Sequence, residues 1–296
     1  MNILVTGGLG YIGSHIVERL EKNHNIIIVD KKPPKNKESH IIDITSKNLV
    51  NAFYLSPKID LVIHCAAAIN SSESVSDPRK YYFNNVIGTF NLLKTMEEVD
   101  CKKIIFLSST AIYHLSNACY GFTKTVGEKM INDFGLNYVI LRLCNVAGVS
   151  ESGLLKEEHS PETHIIPSVL ECIKRKRPIT VFGNNYPTLD KTAVRDYVSV
   201  NDVSKIVSLC VENFPENIYY TIGLSKGYSI KEVIKTAFEV TGQEVDVNYK
   251  DINRPGDIAH FVSDSLFQVE LKTTLGFEYQ YKDLKSIIQN AWRQFS

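Results

Sequence analysis

Apolar runs, rich in β-branched residues, punctuate the first half of the chain at residues 3–5, 26–29, 61–63, 104–107 and 139–143, the last interrupted by Arg142. Runs of this length without polar alternation suit strands buried on both faces of a parallel sheet. Between them the apolar spacing changes to the helical period. Ile12, Ile16, Val17 and Leu20 share one helical face, as do Val86, Phe90 and Leu93, and Val126, Met130 and Ile131. Strand and helix therefore alternate as βαβαβ. This rhythm predicts an α/β fold, a doubly wound parallel sheet with right-handed crossovers. Ligands on such sheets bind beyond the carboxyl ends of the strands.

After about residue 146 the rhythm loosens. Residues 150–163, 182–195 and 243–256 are polar and loop-like, the middle stretch gathering Gly183, Asn184, Asn185 and Pro187. A second, smaller α/β lobe that binds substrate is expected there. Residues 196–210 (DYVSVNDVSKIVSLC) read as a strand followed by a helix that returns to the larger domain. The expected division is residues 1–145, rejoined by about 196–222, as a dinucleotide-binding domain. Residues 146–195 and 223–296 then form the smaller lobe.

Composition narrows the function classes. Of 296 residues, 44% are hydrophobic and 22% charged, which is ordinary globular usage. Lys plus Arg and Asp plus Glu are 33 each, so no bulk field draws the chain to nucleic acid or anionic lipid. The basic run at residues 174–177 reads as a solvated helix end, and no nucleic-acid partner is expected. The six cysteines include no CxxC pair, which suits buried thiols in a reducing compartment. No apolar run approaches the roughly 18 residues of a membrane span, and no signal peptide is evident. A cytoplasmic protein without a membrane partner is expected. The eight histidines show no HExxH or comparable ligand spacing, so no metal site is expected.

Candidate chemistry begins at residues 7–13 (GGLGYIG), a GxxGxxG spacing between the first strand and the first helix. Glycines allow the tight turn and let backbone N–H groups approach a pyrophosphate at the helix N-terminus. Gly7, Gly10, Tyr11, Ile12 and Gly13 are the residues so placed. Asp30 ends the second strand, where a carboxylate grips the adenosine ribose and repels a 2′-phosphate. The pattern predicts a Rossmann-type domain that prefers NAD over NADP. Asp43 and Ile44 end the next strand, as an adenine contact or as a plain surface turn.

Tyr120 and Lys124 form a Tyr-x-x-x-Lys pair, with both side chains on one helical face. An ammonium there is expected to lower the phenol's pKa and make it a general base. Alone, the pair is equally an exposed aromatic–lysine pair. It follows a strand ending in Ser108, Ser109 and Thr110, whose hydroxyls either meet a substrate oxygen or cap a helix.

Together, Gly7 to Gly13, Ser109, Tyr120 and Lys124 resemble the NAD-dependent epimerase/dehydratase family of the extended short-chain dehydrogenase/reductase superfamily. Residues 7–15 (GGLGYIGSH), 81–89 (YYFNNVIGT), 182–197 (FGNNYPTLDKTAVRDY) and 253–257 (NRPGD) extend the likeness over nearly the whole chain. The resemblance implies an isomerase of carbohydrate metabolism that epimerises a UDP-hexose at C4. The route is transient oxidation to a 4-keto sugar. Tyr120 is implied as base, Lys124 as its electrostatic partner and Ser109 as the hydroxyl beside the sugar oxygen. Cys65, Ala66, Ala67 and Asn84 join Gly7, Gly10, Tyr11, Ile12, Asp30, Asp43 and Ile44 as implied NAD contacts. Asn145, Phe182, Arg195, Arg254 and Asp257 are implied to hold the UDP portion, and guanidiniums suit a pyrophosphate clamp. A homodimer is implied through helices of the larger domain.

Other readings keep a place: an N-acetylhexosamine or pentose epimerase, a decarboxylase, or a non-catalytic NAD-binding regulator. A 4,6-dehydratase needs an Asp-Glu pair after the catalytic hydroxyl, and Thr110-Ala111 stands there. The chain also departs from the family. Six residues separate Tyr113 from Tyr120, fewer than usual, and His114 replaces a glycine. Ile69 replaces a lysine near the nicotinamide ribose, Leu143 an aromatic near the cofactor, and His164 an asparagine at the uridine nucleotide. Phe261 places bulk beside the sugar's C2 substituent, which disfavours an N-acetyl group.

Overall fold

The computed structural model describes residues 1–33, 39–114, 118–157 and 162–295. The chain begins with β1 (Asn2–Thr6), α1 (Tyr11–Leu20), β2 (Asn25–Asp30), β3 (His40–Ile41), α2 (Leu49–Tyr54) and β4 (Leu61–His64). Next come α3 (Ser71–Ser76), α4 (Pro78–Tyr81), a π-helical turn (Tyr82–Ile87) and α5 (Gly88–Glu98). A strand, β5 (Lys103–Ser109), leads through a 3₁₀ turn (Thr110–Tyr113) to α6 (Cys119–Asp133) and β6 (Asn137–Leu143). The remainder is β7 (Asn145–Ala147), α7 (Ile165–Lys174), β8 (Ile179–Phe182), β9 (Val194–Ser199), α8 (Val200–Glu212) and β10 (Ile218–Ile222). It ends with β11 (Gly227–Ser229), α9 (Ile230–Thr241), β12 (Val247–Lys250), α10 (Leu266–Leu275) and α11 (Leu284–Trp292).

Two compact units share the chain: residues 1–143 with 204–220, and residues 144–203 with 221–296. The first holds a seven-stranded sheet in the order β10-β6-β5-β4-β1-β2-β3. Every neighbouring pair from β6 to β3 is parallel. All five predicted strands are present. β1 lies between β2 and β4, so the strand order reverses beside it and opens a ligand crevice at the carboxyl ends. Ile3, Leu4, Val5, Val62, Ile63, Ile104 and Ile140 are wholly buried, each contributing about 1.5–3 kcal/mol. Helix α5 supplies Leu92, Leu93 and Met96 to this core.

Helix faces correct two sequence expectations. Phe90 is exposed and Val86, within the π-helical turn Tyr82–Ile87, is half-buried. Thr89, Leu92, Leu93 and Met96 face inward instead. On α6, Val126 and Met130 are half-buried, while Thr123, Lys124, Gly127, Glu128 and Ile131 are buried. That face is small and polar because Gly127 admits the Phe106 ring, which a Cβ there would meet at 2.9 Å.

The second unit has a three-stranded sheet, β11-β9-β7, and a parallel pair, β12-β8. β9 runs parallel to β7, pairing Tyr197 with Asn145, and antiparallel to β11. Residues 196–203, expected to rejoin the first domain, therefore lie in the second unit, and the return begins at residue 204. Helices α7, α9 and α11 pack together around Val169, Leu170, Ile173, Val233, Ile287 and Ile288. Among the described residues, no helix is long and apolar enough to cross a membrane.

Candidate active site

The turn after β1 is built by steric exclusion. Gly7 has φ +68, and a Cβ there would lie 2.7 Å from the Ala66 nitrogen. At Gly13 a Cβ would lie 2.2 Å from the Gly7 carbonyl oxygen. Gly10 caps α1 with extended backbone and offers the first turn no side-chain cap. Tyr11 and Ile12 follow in that turn, where the helix dipole favours an anion. Asp30 ends β2, its carboxylate accepting from the Leu9 and Lys32 N–H groups at 3.0 Å each. The aspartate thus braces the glycine turn at the strand's carboxyl end. Cys65, Ala66 and Ala67 follow β4 across the crevice, partly exposed. A helix terminus capped by glycine, a cradle that Cβ atoms would fill and a carboxylate on the next strand fit a dinucleotide.

Three further expected cofactor contacts, Asp43, Ile44 and Asn84, have partners within the chain. Asp43 accepts from the Thr45 N–H and hydroxyl in a local turn, at 2.9 and 2.7 Å. Ile44 is buried, its side chain occupying the space beside Gly88 that a Cβ would need. Asn84 is partly buried and donates to Asn85 at 3.0 Å.

Ser109 closes β5, and Tyr120 and Lys124 lie on α6. The Ser109 side chain lies near enough to the Tyr120 phenol to act on its acidity. Burial pushes the phenol up, and Ser109 draws it back toward acidity. The Lys124 ammonium donates to the Leu107 carbonyl at 2.7 Å and lies over the Phe106 ring, 4.8 Å from its centroid. This corrects the expectation that the ammonium alone acidifies the phenol: a strand carbonyl captures it, and Ser109 takes that part. Burial pushes Lys124 down to about 8, against the opposing influence of Cys65 and Glu128. Beside it, burial and the Lys124 charge push His64 down to about 3, so this imidazole is neutral.

Several positioning residues escaped the sequence reading. Tyr81 is fully buried, donates to the Asn70 carbonyl at 2.6 Å and to Glu73 at 2.8 Å, and sets its ring edge-on to Tyr120. The Ser74 hydroxyl accepts from the Tyr120 N–H at 3.3 Å. Asn85 bonds both backbone groups of Ala68 and the Thr123 hydroxyl, tying α6 to the strand end after β4. The paired asparagines of residues 84–85 were the available signal.

The second unit holds a different chemistry. Asn145, Arg195, Arg254 and Asp257, with His164 and Tyr197, line a cavity of about 130 Å³. Arg195 forms an ion pair with Asp257 and donates to the Val194 carbonyl at 2.7 Å. Tyr186 donates to the other Asp257 oxygen at 3.3 Å. Arg254 donates to the neutral Thr163 carbonyl at 3.1 Å, which leaves its charge available to an anion. Asn145 donates to the Asp196 carbonyl at 3.2 Å. Phe182 does not line the cavity; it stands under Arg254, 5.3 Å from ring centroid to guanidinium carbon.

His164 caps α7, with its Nδ1 2.6 Å from Glu157 and 3.3 Å from Glu162. Burial opposes its protonation, but hydrogen bonds to the two carboxylates prevail and carry it to about 10. Their ligand-type atoms lie within 4.8 Å of one another, a grouping that histidine spacing alone did not reveal. The charges satisfy each other as an ion pair. Ile69 is exposed, and Leu143 is buried at the end of β6. Phe261 is partly buried and bonds the Val194 carbonyl through its N–H at 3.1 Å. The middle of the short loop before Tyr120, residues 115–117, lies outside the described residues.

The sequence model of the NAD dependent epimerase/dehydratase family matches residues 3–223. The UDP-glucose 4-epimerase of Halalkalibacterium halodurans is 37% identical over 320 residues, covering 99% of this chain and 95% of that protein. That of Bacillus subtilis is 33% identical over 331 residues, covering 99% and 96%. Among solved structures, UDP-glucose 4-epimerase from Bifidobacterium longum in complex with NAD+ and UDP has a TM-score of 0.91 at 29% identity. It covers 99% of this chain and 98% of that one.

Proposed function

The chain belongs to the NAD dependent epimerase/dehydratase family, and from that premise we propose that it interconverts UDP-glucose and UDP-galactose by epimerisation at C4. The observation that carries this reading is the convergence of Tyr120, buried Lys124 and Ser109, whose side chain draws the phenol toward acidity, on the same sheet end as the glycine turn of β1. Gly7, Gly10, Tyr11, Ile12, Gly13 and Asp30 would hold NAD, with Cys65, Ala66 and Ala67 across the crevice. Bound NAD supplies a hydride acceptor for C4 and gives the hydride back. Tyr120 takes the 4-hydroxyl proton as the C4–H bond breaks and returns it when the alcohol re-forms. Ser109, close to that phenol, steadies the developing oxyanion. Lys124 supplies a buried positive charge one helical turn after Tyr120, held by the Leu107 carbonyl.

Arg195 and Arg254 suit the pyrophosphate of UDP, because guanidiniums make charge-assisted and often bidentate bonds to phosphate. Asn145 lines the same cavity, and Phe182 supports Arg254 through its ring. Such an anchor leaves the sugar unrestrained, as epimerisation requires: the keto sugar must present its other face. All six cysteines are thiols outside any disulfide, which supports a reducing, cytoplasmic setting.

A homodimer is part of the same reading. Tyr82, Phe83, Ile87, Phe90 and Phe122 are exposed on the first unit, with Tyr82 edge-on to Phe122 and Phe90 edge-on to Phe134. Clustered exposed aromatics on neighbouring helices mark an interaction face. Light scattering at micromolar concentration is expected to give twice the chain mass; a monomer there rejects the dimer. The activity itself is tested by giving purified protein UDP-galactose without added oxidant. UDP-glucose should form with no net NADH. Absence of product at saturating NAD rejects the proposal.

A further inference from the structure

Beneath Lys124 lies an ion pair that the reaction above does not use. Glu128 follows Lys124 by one helical turn on the buried face of α6. Its carboxylate accepts from Arg142 through Nε at 3.1 Å and Nη2 at 2.7 Å, a two-pronged bond. Ser108 donates to it at 2.5 Å. Ser108 and Arg142 are register partners on β5 and β6, so the sheet fixes both groups that hold Glu128. Arg142 lies between the rings of Tyr113 and Tyr219, with its carbon 5.4 and 4.6 Å from their centroids, and donates to the Tyr113 hydroxyl at 3.0 Å. The Glu128 side chain is 8% exposed. The carbonyl that accepts from Lys124 is that of Leu107, immediately before Ser108.

Each element packed around Lys124 offers a group to weigh. β4 ends in His64, and Cys65 follows it. Burial and Lys124 keep the imidazole neutral, near 3, and burial raises the thiol to about 12. β5 supplies the Phe106 ring and the Leu107 carbonyl, both uncharged. The helix itself supplies Tyr120, a neutral phenol raised by burial, and Glu128. Among these groups, Glu128 carries the negative charge, and Arg142 is the opposite charge behind it.

We propose that the Glu128–Arg142 pair is the positioning element that sets the charge of Lys124, Glu128 holding it as an ammonium and Arg142 limiting that pull. This rests on the epimerase reading only in giving Lys124 its use. The two partners then act with opposite sign. Glu128→Gln removes the anion and leaves the Arg142 cation uncompensated, so Lys124 loses its proton at lower pH. Arg142→Met leaves Glu128 uncompensated, so Lys124 keeps its proton to higher pH. The double variant removes both charges and falls between them.

The test reads the ammonium directly. Protein carrying ¹³C at lysine Cε is titrated by NMR, with the Lys124 signal assigned by its loss in Lys124→Arg. The expected midpoint falls by about one pH unit in Glu128→Gln and rises by about one in Arg142→Met, each a tenfold change in proton affinity. The alkaline limb of kcat/KM for UDP-galactose should move with it. Midpoints that move in the same direction, or stay within about 0.2 pH unit in both single variants, overturn the proposal. Should Glu128→Gln fail to fold, Arg142→Met against the double variant keeps the sign test. Because the NMR readout needs no turnover, an inactive wild type rejects the epimerase reading alone.

Discussion

The Ser109 side chain draws the Tyr120 phenol toward acidity, the serine at the end of a strand and the tyrosine on the helix after it. The serine is fixed independently, because its hydroxyl accepts from the Ala111 N–H at 3.1 Å and caps the 3₁₀ turn. Removing the phenol hydroxyl therefore leaves Ser109 with a partner and the fold intact. Tyr120→Phe is expected to lower kcat by about 10²–10⁴, the range for loss of a general base. Its melting temperature should stay close to wild type. Turnover of UDP-galactose within a few-fold of wild type would take Tyr120 out of proton transfer.

The glycine turn makes a stricter demand. A methyl at Gly13 would press on the Gly7 carbonyl at 2.2 Å, and backbone cannot yield as a flexible side chain does. Gly13→Ala is expected to destabilise the fold by about 1–3 kcal/mol and to empty the purified protein of NAD. Gly242 provides the control. It ends α9 with φ +66 and nothing within 4 Å of a Cβ. Gly242→Ala costs about 1 kcal/mol of left-handed strain and should retain its NAD. Nucleotide released on denaturation, measured per protomer, checks both. Equal retention by the two variants argues against the turn as the cofactor cradle.

What was legible in the sequence follows a physical line. The strands at 3–5 and 104–107 announced themselves because a strand buried on both faces has no polar positions. Gly7 to Gly13 and Tyr120 with Lys124 were readable because turn sterics and helical spacing are local. Phe90 is exposed while Leu93, three residues on, is buried, because Phe90 stands at the edge of the apolar stripe and spacing alone does not say where that edge meets the sheet. Residues 196–199 went to the wrong unit because strand pairing is not local; their partners are β7 and β11. The Ser74, Tyr81 and Asn85 supports join segments distant in sequence, so only the folded chain brings them to Tyr120. Glu128 was the exception: it stands one turn from Lys124, within reach of the same helical spacing.

The nucleotide anchor predicts an asymmetry between its charges. Arg195 is partly neutralised by Asp257, whereas Arg254 donates to an uncharged carbonyl. Arg195→Met would leave the Asp257 carboxylate facing the incoming phosphates. Its dissociation constant for UDP should rise at least about tenfold, or about 1.4 kcal/mol. Asp257→Asn removes the competing anion and should bind UDP as tightly as wild type or more tightly. Calorimetric titration with UDP measures both. Weakened binding in Asp257→Asn equal to that in Arg195→Met would mean that the pair acts through structure and not through charge.

His64 makes the first unit acid-sensitive. Its Nδ1 lies 2.7 Å from the Thr6 hydroxyl and its Nε2 2.9 Å from that of Thr89, all in the buried interior. Burial, and then the Lys124 charge, depress its proton affinity to about 3 from 6.5. The unfolded chain takes up the proton first, so unfolding gains ground as pH falls below 6.5, and the loss continues down to about 3. The full effect is on the order of 5 kcal/mol, because each pH unit across that interval costs about 1.4 kcal/mol. His64→Asn keeps a hydrogen-bonding side chain but cannot take up the proton. Its melting temperature should be lower than wild type at about pH 7, yet fall less between about pH 6 and pH 4. Thermal unfolding across that window checks the slopes, and parallel curves for the two proteins would remove His64 as the source of acid sensitivity.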